Sequence, residues 1–105
     1  MRCLWLGMVI ALSFATGCAE AQEIGQKDGG LALARRLCAQ CHAVQKDEAQ
    51  SPNENAPRFQ VVASVPGMTA IALSAALNTS HRSMPNIILE ADERSDIIAY
   101  ILSLK

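Results

Sequence analysis

Cys38-Ala39-Gln40-Cys41-His42 decides how this sequence is read, as a C-x-x-C-H run in a chain of 105 residues. Two thiols three residues apart can each form a thioether with a haem vinyl group, and the adjacent histidine can meet the iron from the same side. The run therefore supplies covalent anchorage and one axial ligand together. Two other readings start from the same pair. A zinc site normally needs four ligands, and beyond His42 the sequence downstream of its leader offers only His81, with no second C-x-x-C. A thiol redox motif expects strands alternating with helices and a strand leading into the pair, whereas Gly30 to Gln40 reads as helix. Covalent haem is favoured over both.

The first residues set the expected compartment. Met1-Arg2-Cys3 carries a positive charge, and Leu4 to Ala15 is an apolar stretch too short for a comfortable membrane span, which is the pattern of an export signal. Ala19-Glu20-Ala21 fits an A-x-A cleavage site, giving residues 1–21 as signal and Gln22 as the new N-terminus. A second processing route is open, because Ala15-Thr16-Gly17-Cys18 resembles a bacterial lipoprotein box, although a larger aliphatic residue is usual at Ala15. Residues 1–17 would then be removed and Cys18 lipidated, tethering the domain to a membrane surface through residues 19–30. Simple secretion is the favoured route. Both place the haem domain outside the cytoplasm, and the periplasm is the expected location.

Cleavage after Ala21 leaves one small domain. Below roughly 100 residues a domain is marginal unless something staples it, and a covalently held apolar haem would do so. Losing Arg2 and Glu20 leaves eight basic and nine acidic residues, still a formal −1. There is no basic run, and Phe59 and Tyr100 are the aromatic residues after the signal, so neither the electrostatic nor the stacking requirement of a nucleic-acid binder is met.

Periodicity gives helices and no convincing strand. A polar, glycine-containing lead over residues 22–29 precedes a helix from about Gly30 to Gln40, with Leu33 and Leu37 on one face. Gln45 to Pro57 is rich in turn formers and reads as a solvated loop, followed by a short helical turn, Arg58 to Ala63. Pro66-Gly67 breaks the chain, and Thr69 is placed to cap a helix over Ala70 to Leu77. Asn78 to Leu89 reads as loop. The last helix runs from about Ala91 to Leu104, with Asp92, Glu93 and Asp96 near its positive end and Lys105 at its negative end. Ile97, Tyr100, Ile101 and Leu104 recur at helical spacing and predict a buried stripe.

With these elements in place, the chain resembles the small, single-haem class I cytochromes c of bacteria. The resemblance covers essentially everything from Gly30 to Leu104, within a domain read as residues 30–105, and is carried by Cys38-Ala39-Gln40-Cys41-His42, by Ser83-Met84-Pro85 and by Asp96-Ile97-Ile98-Ala99-Tyr100-Ile101. It implies a compact all-α fold of three to five helices around one covalently attached haem, with the N- and C-terminal helices crossing. Gly30 matches the family glycine at that crossing, where two helices approach closely only if one lacks a side chain, and Tyr100 fits the aromatic opposite. Ala34 departs from the pattern, standing at a position often aromatic in the family.

The site expected from the resemblance consists of Cys38 and Cys41 as the attachment points, His42 and Met84 as axial ligands, and Pro57 as the source of a carbonyl that orients His42. Pro52 is the alternative to Pro57. Met68 and His81 compete with Met84 for the second ligand position, and a thioether there favours ferrous iron more than imidazole does. Asn78, Ser80 and Asn86 could bond the haem propionates or steady the Met84 sulfur. Leu37, Phe59, Val62, Ile71, Leu73, Leu77, Ile87, Leu89 and Ile97 are the expected apolar wall.

The function expected is one-electron transfer in the periplasm by a monomeric carrier that docks briefly with donor and acceptor redox proteins. Two alternatives stand beside it. One is the cytochrome subunit of a dehydrogenase or oxidase complex, the other a haem sensor with a displaceable second ligand. Ser74 and Ser80 near His81 lack the base and orienting acid of a credible triad, and no catalytic role is expected.

Overall fold

The computed structural model describes residues 25–79 and 83–105. The signal and lipoprotein-box residues, including Cys18, lie outside the described residues, as do Ser80, His81 and Arg82. Four helices follow in order: α1 (Lys27–Leu37), α2 (Phe59–Ala63), α3 (Ala70–Leu77) and α4 (Ala91–Leu102). Among the described residues there is no strand, and no helix is long and apolar enough to cross a membrane. The fold is all-α, as the periodicity predicts.

α1 starts at Lys27 rather than Gly30 and ends at Leu37 rather than Gln40. The early start has a non-local cause. The backbone N–H of Gln26 donates to Asp96 Oδ1 at 2.6 Å, so a residue of α4 relieves one of the unpaired amide groups at the start of α1. Lys27, Asp28 and Gly29 therefore belong to the helix and not to a flexible lead. Asp96, expected to support the N-terminus of its own helix, supports that of α1 instead. At the other end, the Cys38 and Ala39 amides both return to the Ala34 carbonyl, at 2.9 and 3.0 Å, and close the last turn.

The remaining boundaries follow local chemistry. Thr69 Oγ1 accepts from the Ala72 amide at 3.2 Å, the cap that the sequence predicts for α3. α4 opens with Glu93 Oε2 accepting from the Glu90 amide at 3.1 Å, one arm of a capping box. It closes at Leu102, two residues before the expected end, because Ser103 turns its hydroxyl onto the Tyr100 carbonyl at 2.5 Å. Leu104 remains buried beyond that turn.

α4 is packed against each of the other helices, whereas α1 touches neither α2 nor α3. Leu33 and Ala34 from α1 meet Ile97, Ile98, Tyr100 and Ile101 from α4 in a core that also takes in Val44, Phe59, Ala63, Leu73 and Leu89. Ala34 is fully buried, so the position where the resemblance often implies an aromatic residue is filled here by a small side chain in a closed site. The crossing turns on Gly30. A Cβ built there would lie 2.0 Å from the Asp96 carbonyl oxygen and 2.7 Å from Tyr100 Cβ, and one built at Gly25 would lie 2.1 Å from the Ser95 carbonyl oxygen. The obstacles are mostly backbone, which cannot rotate aside as a side chain can.

Gly30→Ala is expected to force α1 and α4 apart and to destabilise the protein by about 2–3 kcal/mol, the scale of core overpacking. A urea titration would show a lower midpoint with little change in slope.

Candidate haem-binding site

The C-x-x-C-H run leaves α1 as a tight turn. The amides of Cys41 and His42 both return to the Cys38 carbonyl, at 3.1 and 2.9 Å, bringing the two thiols and the imidazole to one side of the loop. Each following backbone group is then fastened. The Cys41 carbonyl accepts from the Asn53 amide at 3.1 Å, and the Ala43 amide donates to Ser51 Oγ at 2.9 Å. The Ala43 carbonyl accepts from the Phe59 amide at 2.9 Å, and the Val44 carbonyl accepts from the Tyr100 hydroxyl at 2.5 Å. Ala43 and Val44 are buried as a result.

His42 Nδ1 lies 2.7 Å from the Pro57 carbonyl. A carbonyl oxygen can only accept, so Nδ1 carries the proton and donates, which leaves the Nε2 lone pair free for a metal. The Phe59 ring stands 5.4 Å from the imidazole, centroid to centroid and tilted by 50°, and limits its rotation. The turn chemistry of residues 45–57 thus has a purpose that composition does not reveal. Its serine, asparagine and proline hold the histidine segment.

A cavity of about 310 Å³ opens beside this loop, with Cys38, Cys41, His42 and Met84 all on its walls. Phe59, Val62, Leu73, Ala76, Leu77 and Ile101 supply most of the apolar lining. A smaller adjoining cleft lies against Met84 and is closed by Leu37, Leu77, Ile87, Leu89 and Ile97. Eight of the nine residues expected in the apolar wall line one of these two spaces. Ile71 does not. It is 84 % exposed on α3, because the face of that helix turned inward carries Leu73, Ala76 and Leu77. Ala76 and Ile101 line the cavity in addition to the expected wall: an alanine among alanines gives no sign of its direction, and the periodicity that predicts Ile101 buried does not tell a cavity wall from a helix interface.

The other candidates are dispersed. Met68 is half-buried against the core and lines neither space, and its carbonyl accepts from Lys105 Nζ at 2.9 Å. Asn78 is spent on its own helix, donating from Nδ2 to the Ser74 carbonyl at 2.8 Å. Asn86 lines the adjoining cleft. Pro52 is exposed and the His42 imidazole meets the Pro57 carbonyl instead. Ser80 and His81 lie outside the described residues. Ser83, just before Met84, has φ of 67°, the one non-glycine residue with positive φ among those described.

The donor set fits a haem. Cys38 and Cys41, in no disulfide among the described residues, lie on an apolar cavity, with an imidazole prepared by its tautomer and a thioether on the same cavity. Until it is bonded to haem, the Cys38 thiol is pushed above its ordinary pKa by burial. Among the described residues no three His, Cys, Asp or Glu side chains come together to hold a metal ion, so the zinc reading finds no completing ligand there.

Helices crossed over a glycine, with two cysteines and an oriented histidine on the loop between the first two, are the marks of a c-type haem protein built for electron transfer. The chain belongs to the cytochrome c family, whose model matches residues 28–105. It is 35 % identical over 98 residues to cytochrome c-552 of Bradyrhizobium diazoefficiens, covering 93 % of this chain and 90 % of that protein. No solved structure matches. The protein is accordingly an electron-transfer protein and not an enzyme, and it carries haem c attached through Cys38 and Cys41.

Tyr100 links α4 to the His42 loop, and burial, the largest influence, pushes its phenol above the ordinary value, with Arg35 opposing and Glu48 and Asp47 adding to the rise. Below a pH of about 10 the phenol is neutral in folded and unfolded chains alike and its bond is fully present. Above that the unfolded chain ionises first, so stability falls as pH climbs toward the raised native value. Tyr100→Phe is expected to cost about 1–2 kcal/mol at neutral pH by orphaning the Val44 carbonyl, and to flatten the alkaline loss. Denaturant midpoints from pH 7 to 11 would measure both.

Proposed function

We propose that this chain is a periplasmic one-electron carrier in which His42 and Met84 are the two axial ligands of the haem iron. The observation that carries the reading is the shared apolar cavity: His42, with Nε2 left free by its bond to Pro57, and Met84 both line it. When bound, the haem supplies a ferrous–ferric couple, and the chain's task is to hold, shield and present it.

Each residue has a physical part in that task. The Pro57 carbonyl fixes the His42 tautomer and raises the basicity of the ligating nitrogen. Met84, a soft thioether, favours the ferrous state and so raises the potential. Phe59, Val62, Leu73, Leu77 and Ile101 exclude water, which makes the extra positive charge of ferric iron more costly and acts in the same direction. The fastened backbone from Cys41 to Val44 keeps His42 in place whichever charge the iron carries. Filling both axial positions leaves no open site for a substrate.

The location rests on the N-terminal pattern and on the family, whose members are typically extracytoplasmic. Residues 1–21 are read as the export signal and residues 22–26 as the lead into the domain. The lipidated form, ending its signal at residue 17, is the alternative, and intact mass of the exported protein separates the two.

Exported holoprotein is expected to give a low-spin spectrum with the weak red band of methionine-to-iron ligation. Met84→Ala should lose that band, lower the reduction potential and admit carbon monoxide to the ferrous form rapidly, whereas the parent binds it slowly or not at all. A band that survives the substitution would move the ligand to Met68. A high-spin parent that binds carbon monoxide at once would replace the carrier with a ligand-binding sensor.

A further inference from the structure

An electron carrier must meet its partner close to the cavity that holds the haem, and α3 is both a wall of that cavity and free surface. α3 turns Leu73, Ala76 and Leu77 inward, and leaves Ile71, Ala72 and Ala75 exposed on the adjoining side. An isoleucine at 84 % exposure, flanked by exposed alanines, is apolar surface that the described residues do not cover.

The charge pattern gives this surface its character. The chain has nine basic and ten acidic residues, yet none falls between Gln60 and Thr79, the stretch that contains α3 and the turn leading into it. The described residues that line the cavity include no Asp, Glu, Lys or Arg either. Val61 and Val65, in the same uncharged stretch, are half-exposed. Arg58, at its edge, is drawn back toward the Glu48 carbonyl at 3.4 Å. Lys105 brings a cation to the edge of the stretch, its Nζ 2.9 Å from the Met68 carbonyl, but a partner with a strongly charged contact face would lose hydration of its charges over α3 and gain little counter-charge.

We propose that the exposed face of α3 is the docking surface for the redox partner, and that the partner it fits presents an apolar, uncharged face beside its own cofactor. The proposal rests on the carrier reading and specifies which surface the carrier uses. A small apolar contact without ion pairs suits a brief encounter, because affinity stays low and release is fast.

A second copy of this protein presents such a face by construction and serves as the probe. Electron self-exchange, in which a ferrous copy gives one electron to a ferric copy and each ends in the other's state, is measured by NMR line broadening in mixed samples. Ile71→Glu is compared with Ala32→Glu, which makes the same charge change on exposed surface of α1, a helix that touches neither α2 nor α3. Ile71→Glu is expected to slow exchange about ten-fold at low salt, with partial recovery at high salt, because two like charges then face each other. Ala32→Glu should stay within about two-fold of the parent.

Amide shifts recorded as all-ferrous protein is concentrated give a second readout that needs no electron transfer. They should move between residues 70 and 79 in the parent and stay still in Ile71→Glu. Equal rates in all three proteins, equal slowing by both substitutions, or concentration-dependent shifts on α1 would overturn the proposal. Flotation of the parent, but not Ile71→Glu, with phosphatidylcholine vesicles would assign the face to a lipid surface and overturn it as well. A parent spectrum lacking low-spin His/Met features would count against the carrier reading itself. An unchanged exchange rate in Ile71→Glu with those features intact would sink the docking face alone.

Discussion

The close approach of α1 and α4 at Gly30 is the constraint from which the rest of the structure follows. With no side chain at that position, the backbone of one helix lies against Asp96 and Tyr100 of the other. That single contact has three effects. The Asp96 carboxylate reaches the Gln26 amide and starts α1, the buried faces of both helices meet, and the Tyr100 hydroxyl reaches the Val44 carbonyl. Tyr100 thereby carries the crossing into the loop that bears His42. Moving the helices apart would disturb the site without touching any residue that lines it.

The site itself is a division of labour between a rigid loop and an apolar wall. Hydrogen bonds from residues 51 to 59 and from Tyr100 determine where the C-x-x-C-H backbone runs, while α2, α3 and α4 supply carbon surface. Polar groups are spent on the backbone and hardly at all on the cavity. This is how a chain of modest size surrounds a large apolar group without burying unpaired polar atoms, and no buried side-chain N or O among the described residues lacks a partner.

What could be read from sequence was local or periodic. The C-x-x-C-H run, the Thr69 cap, the Pro66-Gly67 break and the stripe of Ile97, Tyr100, Ile101 and Leu104 each carry their meaning in a few adjacent residues. What could not be read depended on distant partners. The true start of α1 is set by a carboxylate seventy positions away, and nothing near Lys27 announces it. The direction of Ile71 is not legible because an isoleucine in an alanine-rich helix has no polar neighbours to give it away; with serine as the sole polar residue, α3 has almost no amphipathic signal. The inward position of Ala76 is hidden for the same reason.

The fastening of residues 41 to 44 also separates two scales of loop closure. The downstream partners of Cys41, His42 and Ala43 lie 8 to 16 residues along the chain, whereas the Val44 to Tyr100 bond spans 56. Short closures cost little entropy and form early, while a closure joining the ends of a domain waits for the whole chain. The loop that receives the haem thus has low contact order within a fold whose defining contact has the highest. Its shape can be taken up from its own neighbours before the last helix arrives, and α4 then locks a turn that already exists.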